Sequence, residues 1–227
     1  GIGLANALAP FLSVLLTRLD ATAFQISLLT SMPALAGFLL VIPLGRILQG
    51  QKNIVRWYST TRILYVLAFT FTGICILVLP PSTKVVVILF IWLIVTVPQI
   101  ILNVTFQIVM NGVAGPGGRY ELMSRRWMVL GIVTAIFSFS IGQILDRTIF
   151  PTNYAILFII LSLVGGFLAW YFSRAFKIDY HEKPKEDHPS SVSQVLKETY
   201  KQLTGNKIFS QFIAKRFIVN FGALLVS

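Results

Sequence analysis

The stretch from Lys84 to Asn111 restricts the possible folds of this chain more than any other. No charged residue occurs between Val85 and Met110. At a rise of about 1.5 Å per residue, a helix of this length exceeds the roughly 30 Å hydrocarbon core of a bilayer. The stretch therefore predicts a transmembrane helix.

This apolar stretch nevertheless carries a regular set of side-chain amides. They recur at every fourth position, so each is offset by only about 40° and all share one helical face. They are Gln99, Asn103, Gln107 and Asn111. Amides in hydrocarbon need partners or water, so this face is expected to turn toward other helices or a wet cavity.

The first apolar run, Gly1 to Thr17, has a similar face and predicts a second cavity wall. Its members are Asn6, Pro10, Ser13 and Thr17. A proline inside a helix lacks an N–H and leaves the carbonyl four residues earlier without its donor. We therefore expect helix kinks at Pro10 and at Pro98.

The composition indicates a polytopic membrane protein, with 56% hydrophobic residues, 12% charged residues and a mean hydropathy of +0.79. The basic residues flank apolar runs, so the net charge of +11 does not indicate nucleic-acid binding. Cys75 is the only cysteine, which rules out an intrachain disulfide. His181 and His188 lack a metal-ligand spacing, and no catalytic motif is present. We expect neither an enzyme nor a bound cofactor or metal.

The apolar runs predict six complete spans within a bundle over residues 1–174. Polar connections are expected at Gly45–Trp57 and Gly112–Gly118, and the spans are Gly1–Thr17, Phe24–Leu44, Ile63–Leu79, Val85–Met110, Trp127–Leu145 and Tyr154–Tyr171. Residues 175–207 predict a hydrophilic linker, with an amphipathic helix at about 191–204 that begins in a capping box. Residues 208–227 predict an incomplete seventh span. The chain starts without Met inside an apolar run, so a fragment of a longer protein is expected.

The distribution of positive charge predicts the orientation in the membrane. Of the 19 Lys and Arg residues, all but Arg18, Lys84 and Arg147 fall on one side when loops are counted alternately. Under the positive-inside rule that side is cytoplasmic, together with both chain ends. We expect a multi-pass protein of the cytoplasmic (inner or plasma) membrane. An interfacial aromatic belt is expected on the same side, formed by Trp57, Tyr58, Trp127, Trp170 and Tyr171.

Six spans, a long linker and the start of a seventh span resemble the N-terminal half of a major facilitator superfamily transporter. Three segments look like bacterial members of undefined substrate: Ser27–Gln49, Gly118–Arg126 and Pro151–Phe158. The resemblance implies an all-α bundle with a 3+3 inverted repeat, completed by a six-helix C-terminal half.

The superfamily's gating loop between spans two and three is partly matched. Gly45, Lys52 and Arg56 are kept, whereas Gln49 and Gly50 replace the usual Asp-Arg pair. Gly142–Arg147 matches the full pattern at the end of span five, where an inverted repeat would place it.

The resemblance also implies alternating access, with spans one and four lining a central cavity. A small solute would meet Asn6, Ser13, Gln99, Asn103 and Gln107. These side chains are uncharged, which favours a neutral or amphiphilic solute over a strongly charged one. No Asp or Glu lies inside a predicted complete span, so no proton carrier is visible.

Two alternatives stay open on the residues alone. The amides can instead pair across helices as structural hydrogen bonds, each contributing about 0.6–2 kcal/mol. The chain can also belong to a non-transporting scaffold or receptor, or to half of a channel, built on the transporter fold.

Overall fold

The computed structural model describes residues 1–49, 51, 53–173 and six single residues between 201 and 215. Its regular elements are helices, α1 (Ile2–Arg18), α2 (Ala23–Gln49), α3 (Ile54–Val78), α4 (Pro81–Arg147) and α5 (Thr152–Ser173). The chain divides into two units, Gly1–His181 and Glu182–Ser227. Apart from those single positions, the predicted linker, its amphipathic helix and the start of a seventh span lie outside the described residues.

Five of the described segments are long and apolar enough to cross a membrane. They are Ala23–Val41, Ile54–Val78, Pro81–Ala114, Gly118–Arg147 and Thr152–Phe172. Helix α1 is apolar but shorter, at 17 residues. The described chain is thus all-helical, with the character of a multi-pass membrane protein, and five of the six predicted spans correspond to candidate spans.

The short turn between α1 and α2 is closed by local hydrogen bonds. The Ala21 N–H donates to the Leu16 carbonyl at 3.0 Å, and Asp20 takes a positive φ of 60°. Thr22 and Gln25 then exchange side-chain to backbone hydrogen bonds of 2.9 and 3.3 Å, which is a capping box at the start of α2. This T-x-x-Q signal was readable in the sequence.

The connection between α2 and α3 is shorter than predicted. The predicted bounds of this turn, Gly45–Trp57, are wrong at both ends. Helix α2 continues through Gln49, and α3 already begins at Ile54. The Asn53 side chain caps α3 by accepting a hydrogen bond from the Arg56 N–H at 3.0 Å. Arg56 at the start of α3 is exposed, as a long cationic side chain that reaches out of an apolar layer is, whereas Arg46 in α2 is half-buried.

Helix α4 covers the predicted spans four and five in one element of 67 residues. The predicted loop Gly112–Gly118 is wrong, because helical structure continues through it. Glycine weakens a helix by about 1 kcal/mol relative to Ala, which does not forbid helical structure.

Helix α4 is nevertheless not straight, because its two parts fold back on each other. In a straight helix, Gln107 and Arg119 would be about 18 Å apart, and Phe106 and Arg126 about 30 Å. The Arg119 Nη2 donates to the Gln107 Oε1 at 3.2 Å, and the Arg126 Cζ lies 4.1 Å from the Phe106 ring centroid. We call Pro81–Ala114 limb 1 and Gly118–Arg147 limb 2, and the end of the bundle where they join the bend end.

Helix α3 packs antiparallel to both limb 1 and α5. On the α5 side, the Thr70 and Ser162 hydroxyls are hydrogen-bonded at 2.6 Å. On the limb 1 side, the Trp92 Nε1 donates to the Thr72 Oγ1 at 3.2 Å, and the Tyr58 and Phe106 rings lie 6.4 Å apart. At both interfaces the first residues of α3 lie against the last residues of the partner segment, as in any antiparallel pair.

The centre of the bundle is an aromatic cluster around Phe69. Its ring centroid lies 4.9 Å from Trp92 of limb 1 and 5.6 Å from Phe158 of α5, both in edge-to-face geometry. Tyr65 contacts Trp92 edge-on at 6.2 Å. Such pairs contribute about 0.5–1.5 kcal/mol beyond their buried area. The cluster joins three transmembrane segments.

Helix α1 packs parallel to limb 2 along its length. A Cβ at Gly3 would lie 2.8 Å from Val133, and the Ser138 Oγ donates to the Ala7 carbonyl at 3.4 Å. The opposite end of α1 meets α5, where the Arg18 Cζ lies 5.6 Å from the Tyr154 ring centroid. Although short, α1 is therefore part of the core of the bundle.

Adding a methyl group at Gly73 tests the close contact between α3 and α5. A Cβ there would lie 2.8 Å from the Ala155 carbonyl oxygen and 2.7 Å from Ile159 Cγ1. Since the backbone oxygen cannot move aside cheaply, we expect Gly73→Ala to cost about 1–3 kcal/mol and to lower the unfolding midpoint by roughly 2–10 °C. The measurement is thermal unfolding in detergent micelles.

The matched control is Gly131→Ala in limb 2, where a Cβ meets no atom within 4 Å. Its midpoint should stay the same or rise, because Ala favours a helix over Gly. Equal midpoints for the two variants would contradict the close contact.

Candidate functional site

The predicted polar face of limb 1 lies mostly on the surface of the bundle. Gln99 is half-buried, whereas Asn103, Gln107 and Asn111 are exposed. The opposite face is buried, and there the Thr105 hydroxyl donates to the Ile101 carbonyl at 2.7 Å. The packing of limb 1 against α3 thus leaves the amide stripe uncovered.

A groove of about 490 Å³ lies between α2 and limb 1 along this stripe. Its lining is mostly apolar, with two amides as the polar groups: Pro33, Gly37, Phe38, Val41, Ile100, Asn103, Val104 and Gln107. No side chain fills the space next to Gly37, since a Cβ there would meet no atom within 4 Å. An open apolar groove with a few polar groups can bind a small amphiphilic molecule.

The two amides of the groove differ in their hydrogen bonding. The Gln107 Oε1 accepts the hydrogen bond from Arg119 across the bend of α4. Within the described ranges the Asn103 side chain has no protein hydrogen-bond partner, so its donor and acceptor are both available. Gln107 thus partly fits the alternative that the amides form structural hydrogen bonds within the protein. Asn103 is the better candidate for a ligand contact.

The predicted polar residues of α1 lie elsewhere. Asn6 and Ser13 are half-buried, and Pro10 and Thr17 are exposed. The Thr17 hydroxyl donates to the Ser13 carbonyl at 3.0 Å. Of the predicted cavity residues, the groove brings together only Asn103 and Gln107, whereas Asn6, Ser13 and Gln99 do not line it.

The predicted gating positions do not form a loop of their own. Gly45 and Gln49 belong to the last turns of α2, Arg56 to the first turn of α3, and Lys52 lies outside the described residues. Pro10 and Pro98 are both within helical segments, so the helices continue through them. The kinks and the gating role stay predictions.

Helix α2 was not predicted to form a wall of the groove. Its residues Pro33 and Gly37 border open space beside Phe38. The sequence of α2 shows only a long apolar segment with few polar positions. Such a segment can face lipid or line a binding groove, and the sequence does not distinguish the two. In the described part of the chain, no three His, Cys, Asp or Glu residues lie together as metal ligands would.

No family model, curated protein or solved structure matches this chain. The resemblance to the major facilitator superfamily therefore rests on the segments quoted from the sequence. What the site does must be argued from its own geometry.

Thiol labelling tests whether the amide face meets water or lipid. In a Cys75→Ser background, we expect Asn103→Cys to react with a water-soluble, membrane-impermeant maleimide in open vesicles, because a hydrated face supports thiolate formation. Labelling is read by mass shift.

Two controls separate exposure from hydration. Thr105→Cys is buried at 0% exposure and should not react. Ile94→Cys lies on an exposed, apolar part of limb 1 at 56% exposure and should not react either if lipid covers it. Equal labelling at positions 94 and 103 would show that the amide face is no more hydrated than the apolar surface around Ile94.

Proposed function

We propose that this chain is the N-terminal half of a secondary active transporter that moves a small solute by alternating access. The observation that carries the proposal is the exposed amide stripe of limb 1 beside the groove shared with α2. A purely structural bundle gives no reason for uncovered amides on a membrane-crossing segment.

These amides need polar partners or water in the membrane. An amide without a hydrogen-bond partner in an apolar medium costs several kcal/mol, so lipid contact is unfavourable. Water in a solute pathway, or polar groups of a second helical half, would satisfy the same side chains. A transport cavity between two halves supplies both.

The helix pairings support an inverted repeat of the major facilitator type. In such a repeat, spans one, two and three correspond to spans four, five and six. The repeat then relates the contact between α1 and limb 2 to the contact between limb 1 and α2. It also relates the contact between α3 and limb 1 to the contact between α5 and α1. The contact between α3 and α5 is related to itself. All of these pairs are in contact in the bundle.

The distribution of charge favours a cytoplasmic location for the bend end. Its described ionic residues are six arginines and one carboxylate: Arg46, Arg56, Arg62, Arg119, Arg125, Arg126 and Glu121. The other end has three basic and two acidic residues: Arg18, Lys84, Arg147, Asp20 and Asp146. The positive-inside rule then orients the bundle in a cytoplasmic membrane.

The solute is expected to be neutral or amphiphilic. The groove offers amides as polar contacts and a largely apolar wall that includes Phe38 and Val104. Its volume falls within the usual range for small-molecule sites. Membrane lipid and a six-helix C-terminal half are the expected partners.

Uptake by the full-length protein in liposomes tests this function. We expect Asn103→Leu to lower the initial rate of solute uptake at least about tenfold, because it removes a polar contact from the groove. Gln99 lies outside the groove but one helical turn along the same amide face, so Gln99→Leu should also lower uptake if the solute pathway follows that face. The readout is counterflow or uptake over a broad panel of neutral and amphiphilic solutes.

The matched control is Ile94→Leu on the apolar face of limb 1, which should transport like the parent protein. Unchanged uptake in the Asn103 and Gln99 variants would overturn the site assignment. Absence of flux across the panel, with folded protein confirmed, would overturn the transporter and favour a scaffold or receptor.

A further inference from the structure

Two arginines from different helices lie together at the bend end. Arg126 of limb 2 stacks on the Phe106 ring at 4.1 Å and lies 5.2 Å from the Trp127 ring centroid. The Phe106 ring lies 6.4 Å from the Tyr58 ring of α3, and Arg62 follows Tyr58 by one helical turn on the same face of α3. We call Arg62 and Arg126 the arginine pair.

The surroundings of the arginine pair do not neutralise its charge. Among the described residues of this end, Glu121 is the single carboxylate, and it pairs with Arg125 at 2.6 Å on the exposed surface. Two guanidinium groups on facing helices repel each other, and an anion bound between them offsets this repulsion. The aromatic rings hold Arg126 in place but carry no negative charge.

The arginine pair also has unused hydrogen-bond donors. The Arg62 Nε and the Arg126 Nη1 are both buried, and neither has an acceptor within the described structure. An unsatisfied buried donor typically costs about 1–3 kcal/mol, and more when it is charged. The remainder of each side chain is half-buried, so the pair can be reached from outside the bundle.

We propose that Arg62 and Arg126 together bind a phosphate group at the bend end of the bundle. A phosphate monoester or diester supplies oxygens that accept paired N–H donors of guanidinium groups, and it brings the negative charge that the pair lacks. The phosphate comes from an anionic lipid headgroup or from a small soluble anion.

The position of the arginine pair favours the lipid headgroup. Arg62 and Arg126 each lie eight residues, or about 12 Å, inside the membrane-crossing segments Ile54–Val78 and Gly118–Arg147, within reach of the headgroup level for a long side chain. The neighbouring Trp127 is 59% exposed. Basic pockets between transmembrane helices bind lipid phosphates in this setting, and exposed Trp side chains prefer the headgroup level. This site lies outside the groove and does not depend on transport.

The test is thermal unfolding of the full-length protein in uncharged detergent. The first arm adds phosphatidylglycerol, with phosphatidylcholine as the neutral comparison. The second arm adds inorganic phosphate, with chloride at equal ionic strength. We expect phosphatidylglycerol to raise the unfolding midpoint by several degrees in a saturable manner.

The variants Arg62→Gln and Arg126→Gln should each weaken the apparent affinity for phosphatidylglycerol at least about tenfold. Arg126→Lys keeps the charge but loses the planar donor pair, so it should give an intermediate loss. Arg125→Gln is the matched control, because it removes an equal charge from the adjacent exposed residue. It should bind like the parent protein.

Stabilisation by phosphatidylglycerol alone assigns the site to lipid, and stabilisation by inorganic phosphate as well assigns it to phosphate in general. Stabilisation by neither anion would overturn the proposal. An equal loss in Arg125→Gln would also overturn it, because binding would then follow net charge only. The proposal would also be overturned if Arg62→Gln were more stable than the parent protein and neither protein responded to anions. That result would indicate only that the substitution relieves repulsion between Arg62 and Arg126.

Discussion

The close packing of α3 between limb 1 and α5 is the interaction on which the rest of the bundle depends. Hydrocarbon gives no hydrophobic drive for helices to associate, so shape complementarity and hydrogen bonds must hold them. Gly73 lets the α5 backbone approach, and Phe69 contacts both neighbours through Trp92 and Phe158. The hydroxyl pair of Thr70 and Ser162 adds a polar contact at the same interface.

This packing also determines which surfaces remain for function. One face of limb 1 is used against α3, which leaves the stripe around Asn103 uncovered beside α2. The fold-back of α4 then brings Arg126 to the end of limb 1, next to Phe106 and the first turns of α3. The groove and the arginine pair are therefore two separate consequences of how limb 1 is packed.

Much of the all-helical, membrane-crossing architecture was predictable, because the length of an uncharged apolar segment can be read directly from the local sequence. Predictions from the sequence were wrong where local signals conflict with packing. Gly112–Gly118 was expected to be a loop, yet helical structure continues there while the chain folds back. Tyr58 was expected in an interfacial belt, but it is 5% exposed because it packs against Phe106. Burial of a particular ring depends on a partner distant in sequence, which periodicity does not identify.

The apolar segments, the amide stripe and the concentration of positive charge on one side are readable from the sequence alone. These follow from spacing along a helix and from the cost of polar groups in lipid. Three relations instead depend on tertiary packing: Asn103 and Gln107 border a groove with α2, Gln107 is paired with Arg119, and Arg126 stacks on Phe106. These relations require helices to be placed against one another. That placement is set by close contacts such as those at Gly73 and Phe69, which no local pattern encodes.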